Sequence, residues 1–370
     1  MMKLSDKIAL RDLSFLEFAA REGDYGVTLV TPPGGQRFAV KSLALLEILA
    51  TATAPTLRSE LACRLSSELD LPDGAAERLL DSLLDRGVLE PVDENADTSA
   101  IALWQQYNWE AAGLYHFTAR GTRFADIDRA DQCPMELRER VVANYRRKDP
   151  FPYREIAAGS SSDEIVALPN ALRDVNWPLG PTLLKRRTLR TWTCRTLPLQ
   201  ELANLLWYGL RPIGENRAVV DADPAFTQLT PLMTHFAHLG VWVLPIRTEG
   251  AQNDTIYRYD PVGHRLVRRN SFEGGLSLES LCVGQVPLRD ASVVVILSGI
   301  FTEFMWRYRH NRAYSVVLLE VGQMMQNLIL TATASGLRPF ITPALRDSRV
   351  DQLLMIDGYD EGALYLSAFG

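Results

Sequence analysis

The chain has 370 residues, 47% hydrophobic and 23% charged, with a formal net charge of −6. Such values describe a globular protein with room for two or three domains. The acidic balance excludes nucleic-acid binding as the default, since phosphate backbones are held by surplus Lys and Arg. Cys63, Cys133, Cys194 and Cys282 are far apart and form no CxxC pair, which implies a reducing compartment and no structural zinc. Among five histidines only His235 and His238 are close in sequence, and no further ligands accompany them, so no metal site is expected. The start, MMKLSDKIALRD, lacks an apolar h-region, so no signal peptide is expected and the location is read as cytoplasmic.

Residues 26–40 read as two strands around the turn Pro32-Pro33-Gly34-Gly35. Helices are expected near 42–51, 56–67 and 74–86. The last puts Leu79, Leu80, Leu83 and Leu84 on one face and stops at Gly87. Val88 and Leu89 begin a short strand that Pro91 ends. This order suggests a small winged-helix-like domain over 1–97. Such a domain binds DNA or a peptide, or serves as a scaffold. Residues 1–90 hold 10 Lys/Arg against 14 Asp/Glu, and the third helix carries Glu77, Asp81 and Asp85. That surface repels phosphates. A peptide added to the hairpin edge, or a scaffold role, is expected instead.

Residues 98–180 read as a connector. Leu103, Tyr107, Leu114 and Phe117 share a helix face, with Trp104 and Trp109 expected as large buried anchors. The stretch 149–164, DPFPYREIAAGSSSDE, has prolines first and small polar residues later, and reads as an exposed loop.

Residues 181–370 carry the chemistry. Lys185, Arg186, Arg187 and Arg190 fall within six positions around Thr188, a donor set suited to an anion. A helix follows Pro198 and stops at Gly209. Strands are expected at 241–246, in a hairpin over 255–269, at 293–297 and at 362–369. The stretch 306–337 opens with Arg307, Tyr308, Arg309, Arg312 and Tyr314, continues as an apolar helix and stops at Gly336. Glu320, Gln323, Gln326 and Asn327 share one stripe of that helix. A lipid-facing helix would not carry them unpartnered. The helix is therefore read as the core of a large domain, its stripe facing another helix, a second subunit or a cofactor. Mixed strands and helices around it indicate an α+β sandwich.

The cluster RRTLR (186–190), the hairpin pattern YxYDPxxHxL (257–266), WRYRHNRAY (306–314), GQMMQNLIL (322–330) and ATASGL (332–337) occur in that order. Together with WQQYNWEAAGLYHFTAR (104–120) they resemble the SagB-type, or ThcOx-type, branch of the nitroreductase superfamily. The resemblance implies a nitroreductase-like α+β fold, FMN as cofactor and a dimer with the flavin at the subunit interface. It also implies oxidation of thiazolines and oxazolines in ribosomally made peptides, and an N-terminal winged-helix-like region that holds the precursor peptide. By resemblance, Arg186, Thr188 and Arg190, with Arg187 as a weaker candidate, hold the ribityl-phosphate. Gly336 and Leu337 match the turn near the isoalloxazine ring, and Tyr308 matches the second residue of a Lys-Tyr proton-transfer pair.

Three positions depart from that pattern. Arg307 replaces the Lys of the pair, and an arginine is a poor general base. Pro231-Leu232-Met233-Thr234 stands where the branch has a Pro-Ser-Gly-Gly-like loop against the flavin. The sequence ends at Gly370 just after the final strand, which leaves little room for a C-terminal basic residue at the phosphate. Two expectations follow. One is an FMN-dependent azoline dehydrogenase subunit, with Tyr308 and Arg307 as its catalytic candidates. The alternative is a non-catalytic scaffold or peptide-recruiting subunit paired with a related flavin-binding chain. Expected partners are the precursor peptide, a second identical or related chain and a cyclodehydratase; no nucleic acid or membrane is expected.

Overall fold

The computed structural model describes residues 7–10, 14–21, 24–31, 36–92, 109–120, 143, 146–156, 164–173, 175–229, 233–271 and 278–370. The chain divides into two units, Met1–Ala125 and Asp126–Gly370.

The first unit comprises β1 (Lys7–Leu10), β2 (Phe15–Arg21), β3 (Asp24–Thr31), β4 (Gln36–Val40), α1 (Leu43–Thr51), β5 (Thr56–Leu57), α2 (Arg58–Glu68), α3 (Ala75–Asp85), β6 (Leu89–Pro91) and α4 (Glu110–Arg120). Ser42 caps α1, its hydroxyl accepting from Leu45 N at 3.3 Å. Strands pair in the order β5-β1-β6, and Ile8, Ile48, Leu61, Leu65, Leu80 and Leu89 close one core. This arrangement is compatible with the winged-helix-like reading. The expected hairpin forms as β3 and β4, but it lies in a second sheet, β2-β3-β4, because β2 pairs along the whole of β3. Trp109 is not a buried anchor. It is 60% exposed, because it sits where the chain enters α4 and its carbonyl accepts the first helical bond from Gly113 N. Trp104, Leu103 and Tyr107 lie outside the described residues.

The second unit contains β7 (Ile165–Ala167), α5 (Leu179–Lys185), α6 (Leu199–Gly209), α7 (Arg211–Ala222), β8 (Leu239–Pro245), β9 (Thr255–Asp260), β10 (Arg265–Ser271), α8 (Leu278–Leu281), β11 (Val293–Ile300), α9 (Phe301–Arg307), α10 (Ala313–Ala334), β12 (Phe340–Thr342), α11 (Asp347–Leu354) and β13 (Glu361–Phe369). The strands form one antiparallel sheet in the order β12-β13-β11-β8-β9-β10-β7. β11 is apolar at almost every position because helices cover both faces. Val293, Val295 and Leu297 pack on one side with Leu202, Leu205 and Leu206 of α6 and Val321, Met325 and Leu328 of α10. Val294 and Ile296 pack on the other with Leu278 and Leu281 of α8 and Val350 and Leu354 of α11. The unit is thus the expected α+β sandwich.

Part of the stretch read as a connector belongs to this unit. β7 is the edge strand beside β10. Of the expected exposed loop, 157–163 lie outside the described residues; in 149–156, Asp149, Pro150, Pro152 and Glu155 are exposed as expected, but the segment is anchored. Phe151 is buried against Phe226 and Trp306, with ring centroids 4.8 and 5.1 Å away. The prolines at 150 and 152 keep this segment out of regular structure without keeping it off the core.

Candidate functional site

The predicted residues fall into two groups at opposite ends of α10. At 22 residues, that helix is about 33 Å long.

At its C-terminal end the chain makes a left-handed turn. Gly336 has φ +85°, and Leu337 N reaches back to Ala332 O at 2.9 Å. This is the glycine-terminated cap that satisfies the last helical carbonyls. Leu337 is buried and Gly336 exposed. The basic cluster lies alongside, since Leu189 N donates to Pro339 O at 2.8 Å. Arg338 and Trp192 complete the junction. Arg338 Nε donates to Thr191 O and Trp192 Nε1 to Arg338 O, both at 2.9 Å. Two segments some 150 positions apart in sequence therefore meet. Arg187 turns back, its Nη1 donating to Leu184 O and Arg186 O. Arg186, Thr188 and Arg190 alternate along an extended segment and make no side-chain hydrogen bond among the described residues. Two uncommitted guanidinium groups beside a hydroxyl fit the phosphate end of a flavin nucleotide.

At the N-terminal end lies a cavity of about 1050 Å³. Its walls are largely apolar and include Phe301, Phe304, Met305, Tyr308, Tyr314 and Pro152. Asp149, Arg309, His310 and Asp360 supply polar groups. Tyr308 ends α9; its N–H donates to Phe304 O at 3.0 Å and its ring lies 4.7 Å from that of Phe304. Arg307 does not share the cavity. It is 3% exposed, its Nη1 donating to Thr234 O at 3.0 Å and Thr234 Oγ1 at 2.6 Å, and its Nε to Glu303 O at 3.0 Å. Burial lowers the pKa of its guanidinium, and Glu303 opposes the shift. Arg307 is thus a structural cation, for local reasons: on the α9 turn it projects toward the core while Tyr308, one residue on, projects out.

Behind this wall lies a buried ionic layer that the sequence did not reveal. Arg217 of α7 pairs with Glu303 at 3.1 Å and Asp221 at 2.8 Å. Glu361 is bonded by Arg258, the Ser298 hydroxyl and Arg154. Burial would raise its carboxyl, but Arg258, Ser298 and Arg154 outweigh burial and hold it below its ordinary value. Glu320, expected on a polar stripe, faces inward. Its carboxylate accepts from Phe236 N at 2.9 Å and sits 3.1 Å from His235 Nδ1 and 3.3 Å from His238 Nε2. Gln323 and Gln326 are exposed, so the stripe is divided between core and surface. Of the departing loop, Pro231 and Leu232 lie outside the described residues; Met233 is exposed and Thr234 buried under Arg307.

The α+β sandwich has a family counterpart. The nitroreductase family model matches residues 183–370, and the chain belongs to the nitroreductase family. The trifolitoxin operon protein TfxC of Rhizobium leguminosarum bv. trifolii is 24% identical over 337 residues, covering 85% of this chain and 87% of that protein. This accords with the SagB-type branch read from the motifs. Among solved structures, a nitroreductase-type protein of Anabaena variabilis aligns with 22% identity and a TM-score of 0.46, covering 59% of this chain and 43% of its own. A chain of the Escherichia coli microcin synthetase McbBCD complex with truncated pro-MccB17 bound aligns with 21% identity and a TM-score of 0.41, covering 74% and 94%.

Proposed function

We propose that this chain is an FMN-dependent dehydrogenase subunit that oxidises thiazoline or oxazoline rings of a ribosomally made peptide. The observation that carries the reading is Tyr308, whose side chain forms part of the wall of a cavity large enough for a substituted ring. The relative from a trifolitoxin operon supports a place in peptide biosynthesis. Aromatising an azoline removes a proton from one ring carbon and a hydride from its neighbour. Bound FMN supplies the two-electron acceptor. Arg186, Thr188 and Arg190 hold its phosphate end, with Gly336 and Leu337 at the adjoining turn. Once its own proton has passed to solvent, the Tyr308 phenolate oxygen takes the ring proton, while Phe301, Phe304 and Tyr314 exclude water. Arg307 braces α9 from below and does not touch the ring. The two ends of α10 are too far apart for one chain to close the site, so a second chain, identical or related, supplies the complementary half.

Incubating the full chain with FMN and a synthetic thiazoline peptide, alone and with a related chain from the same operon, tests the proposal. Loss of two hydrogen masses per ring is expected, and its absence in both mixtures overturns the reading. Tyr308→Phe should keep flavin and lower turnover at least about 100-fold.

The commitment of Arg307 to Thr234 and Glu303 favours a second reading, a scaffold subunit that has lost the branch's first proton-transfer side chain. Under that reading the chain alone binds no flavin, and Tyr308→Phe leaves the turnover of the mixed complex unchanged.

A further inference from the structure

Tyr308 is the C-cap of a helix barely two turns long, and α9 has no side-chain cap at its start. The ends of so short a helix fray unless something outside it holds them. The residues that hold this one come from far away in sequence, from 149–151. Asp149 O accepts from Trp306 Nε1 at 2.9 Å, and Asp149 Oδ2 pairs with Arg309 Nη2 at 2.8 Å. The Phe151 ring meets that of Trp306 edge-on at 5.1 Å and lies 5.8 Å from the Arg307 guanidinium. The residues on either side of Tyr308 are thus gripped while its own side chain faces the cavity.

The gripping segment is itself anchored. Tyr153 Oη donates to Asp221 at 3.1 Å, and Arg154 N donates to Glu303 Oε1 at 3.1 Å. The Arg154 side chain pairs with Glu361 at 2.9 Å, and Arg217 donates to Arg154 O. The segment therefore ties α9 to the buried ionic layer and to β13. It also forms a wall of the cavity through Asp149, Pro150 and Pro152.

We propose that residues 149–154 form a strap that positions Tyr308 for proton transfer, with Asp149 and Phe151 as its positioning residues. This rests on the reading of Tyr308 as the proton-transfer group. The strap holds Trp306, Arg307 and Arg309 around the phenol, so loosening it lowers the rate of the chemical step more than it weakens peptide binding.

The test uses the full chain with FMN, its partner chain and a synthetic thiazoline peptide. Four variants are compared: Asp149→Ala, Phe151→Leu, Tyr308→Phe and the charge exchange Asp149→Arg with Arg309→Asp. Asp149→Ala and Phe151→Leu should lower kcat about tenfold with KM within twofold. The charge exchange should recover kcat to within about threefold of the parent. Hydrogen exchange of the 306–312 amides should rise at least fivefold in Asp149→Ala, while the 202–206 amides of α6 stay unchanged. A rise in KM with kcat preserved would make Asp149 a substrate contact and overturn the proposal. So would unchanged exchange at 306–312, whatever the turnover. Tyr308→Phe separates the two claims. Parent-like turnover in that variant defeats the reading of Tyr308 itself. Loss of turnover there, with parent-like kcat and exchange in Asp149→Ala, defeats the strap alone.

Discussion

His238 is a buried histidine kept neutral. Its ring lies 4.2 Å from that of Phe304, and burial, Arg307 and His235 push its pKa well below the ordinary value. Glu320 is 3.3 Å from Nε2, but its oxygens already serve His235 and Phe236 N, and Arg307 repels a second cation. The unfolded chain binds a proton below the ordinary histidine pKa and the folded chain does not, so stability rises with pH in that window and is lost on acidification. The loss attributable to this site is at most about 1.4 kcal/mol per pH unit below about pH 6.5. Denaturant titrations at several pH values check it: His238→Gln should flatten the dependence between about pH 5 and 6.5, and an unchanged slope removes His238 as its source. How much of the site the sequence disclosed depends on this kind of burial. Gly336 is legible because residue type suffices to mark a helix stop, and Arg186, Thr188 and Arg190 are legible as a basic row because spacing alone places them together. The burial of Arg307 is not legible, because its partners Thr234 and Glu303 are chosen by the fold. Phe151 is hidden for another reason: prolines on both sides announce a loop but say nothing of what covers it.

At the level of elements, α6 and α10 approach so closely that one position admits only glycine. A Cβ on Gly209 would stand 2.7 Å from Leu328 Cδ1 and 2.9 Å from Leu328 Cα. The backbone contact cannot be relieved by a rotamer change, so the helices must separate. Gly209→Ala should cost about 1–3 kcal/mol, read as a lower urea midpoint at unchanged slope. A midpoint within error of the parent would mean that the pair slides freely. From the sequence Gly209 reads as a helix stop, and α6 does end there; its packing role depends on Leu328, 119 positions on. The long elements are legible for a related reason. α6, α10, β8, β11 and β13 carry sustained periodic or apolar runs that local physics alone can interpret. β7 and β12, three residues each, are strands only because β10 and β13 offer an edge, and no pattern of their own marks them. β2 escapes notice because its FLEFAAR does not alternate strictly; its pairing with β3 makes it a strand.

At the level of the whole molecule, the second unit leaves a row of large apolar side chains uncovered. Leu183 and Leu184 of α5 are 52% and 78% exposed, and Leu318 and Leu319 of α10 are 45% and 64% exposed. The two helices lie against each other, so both leucine pairs are on neighbouring elements. Gly322 adds a stretch of open helix on the same element. A patch of this kind marks an association surface, and burying each leucine is worth about 1.5–3 kcal/mol. The surface is centred on the helix that separates the cation row from Tyr308. If the second chain proposed above is a copy related by a two-fold axis across α10, its helix would run antiparallel and each Tyr308 end would sit beside the other chain's Arg186–Arg190 end. Association and flavin retention should therefore fail together. Leu318→Glu with Leu319→Glu should convert a dimer to monomer in sedimentation and release FMN, with helical content kept in circular dichroism. Loss of FMN from a chain that remains dimeric would place the interface elsewhere. A flavin-saturated monomer would show that one chain holds the cofactor alone, and the proposed sharing of the site would fall.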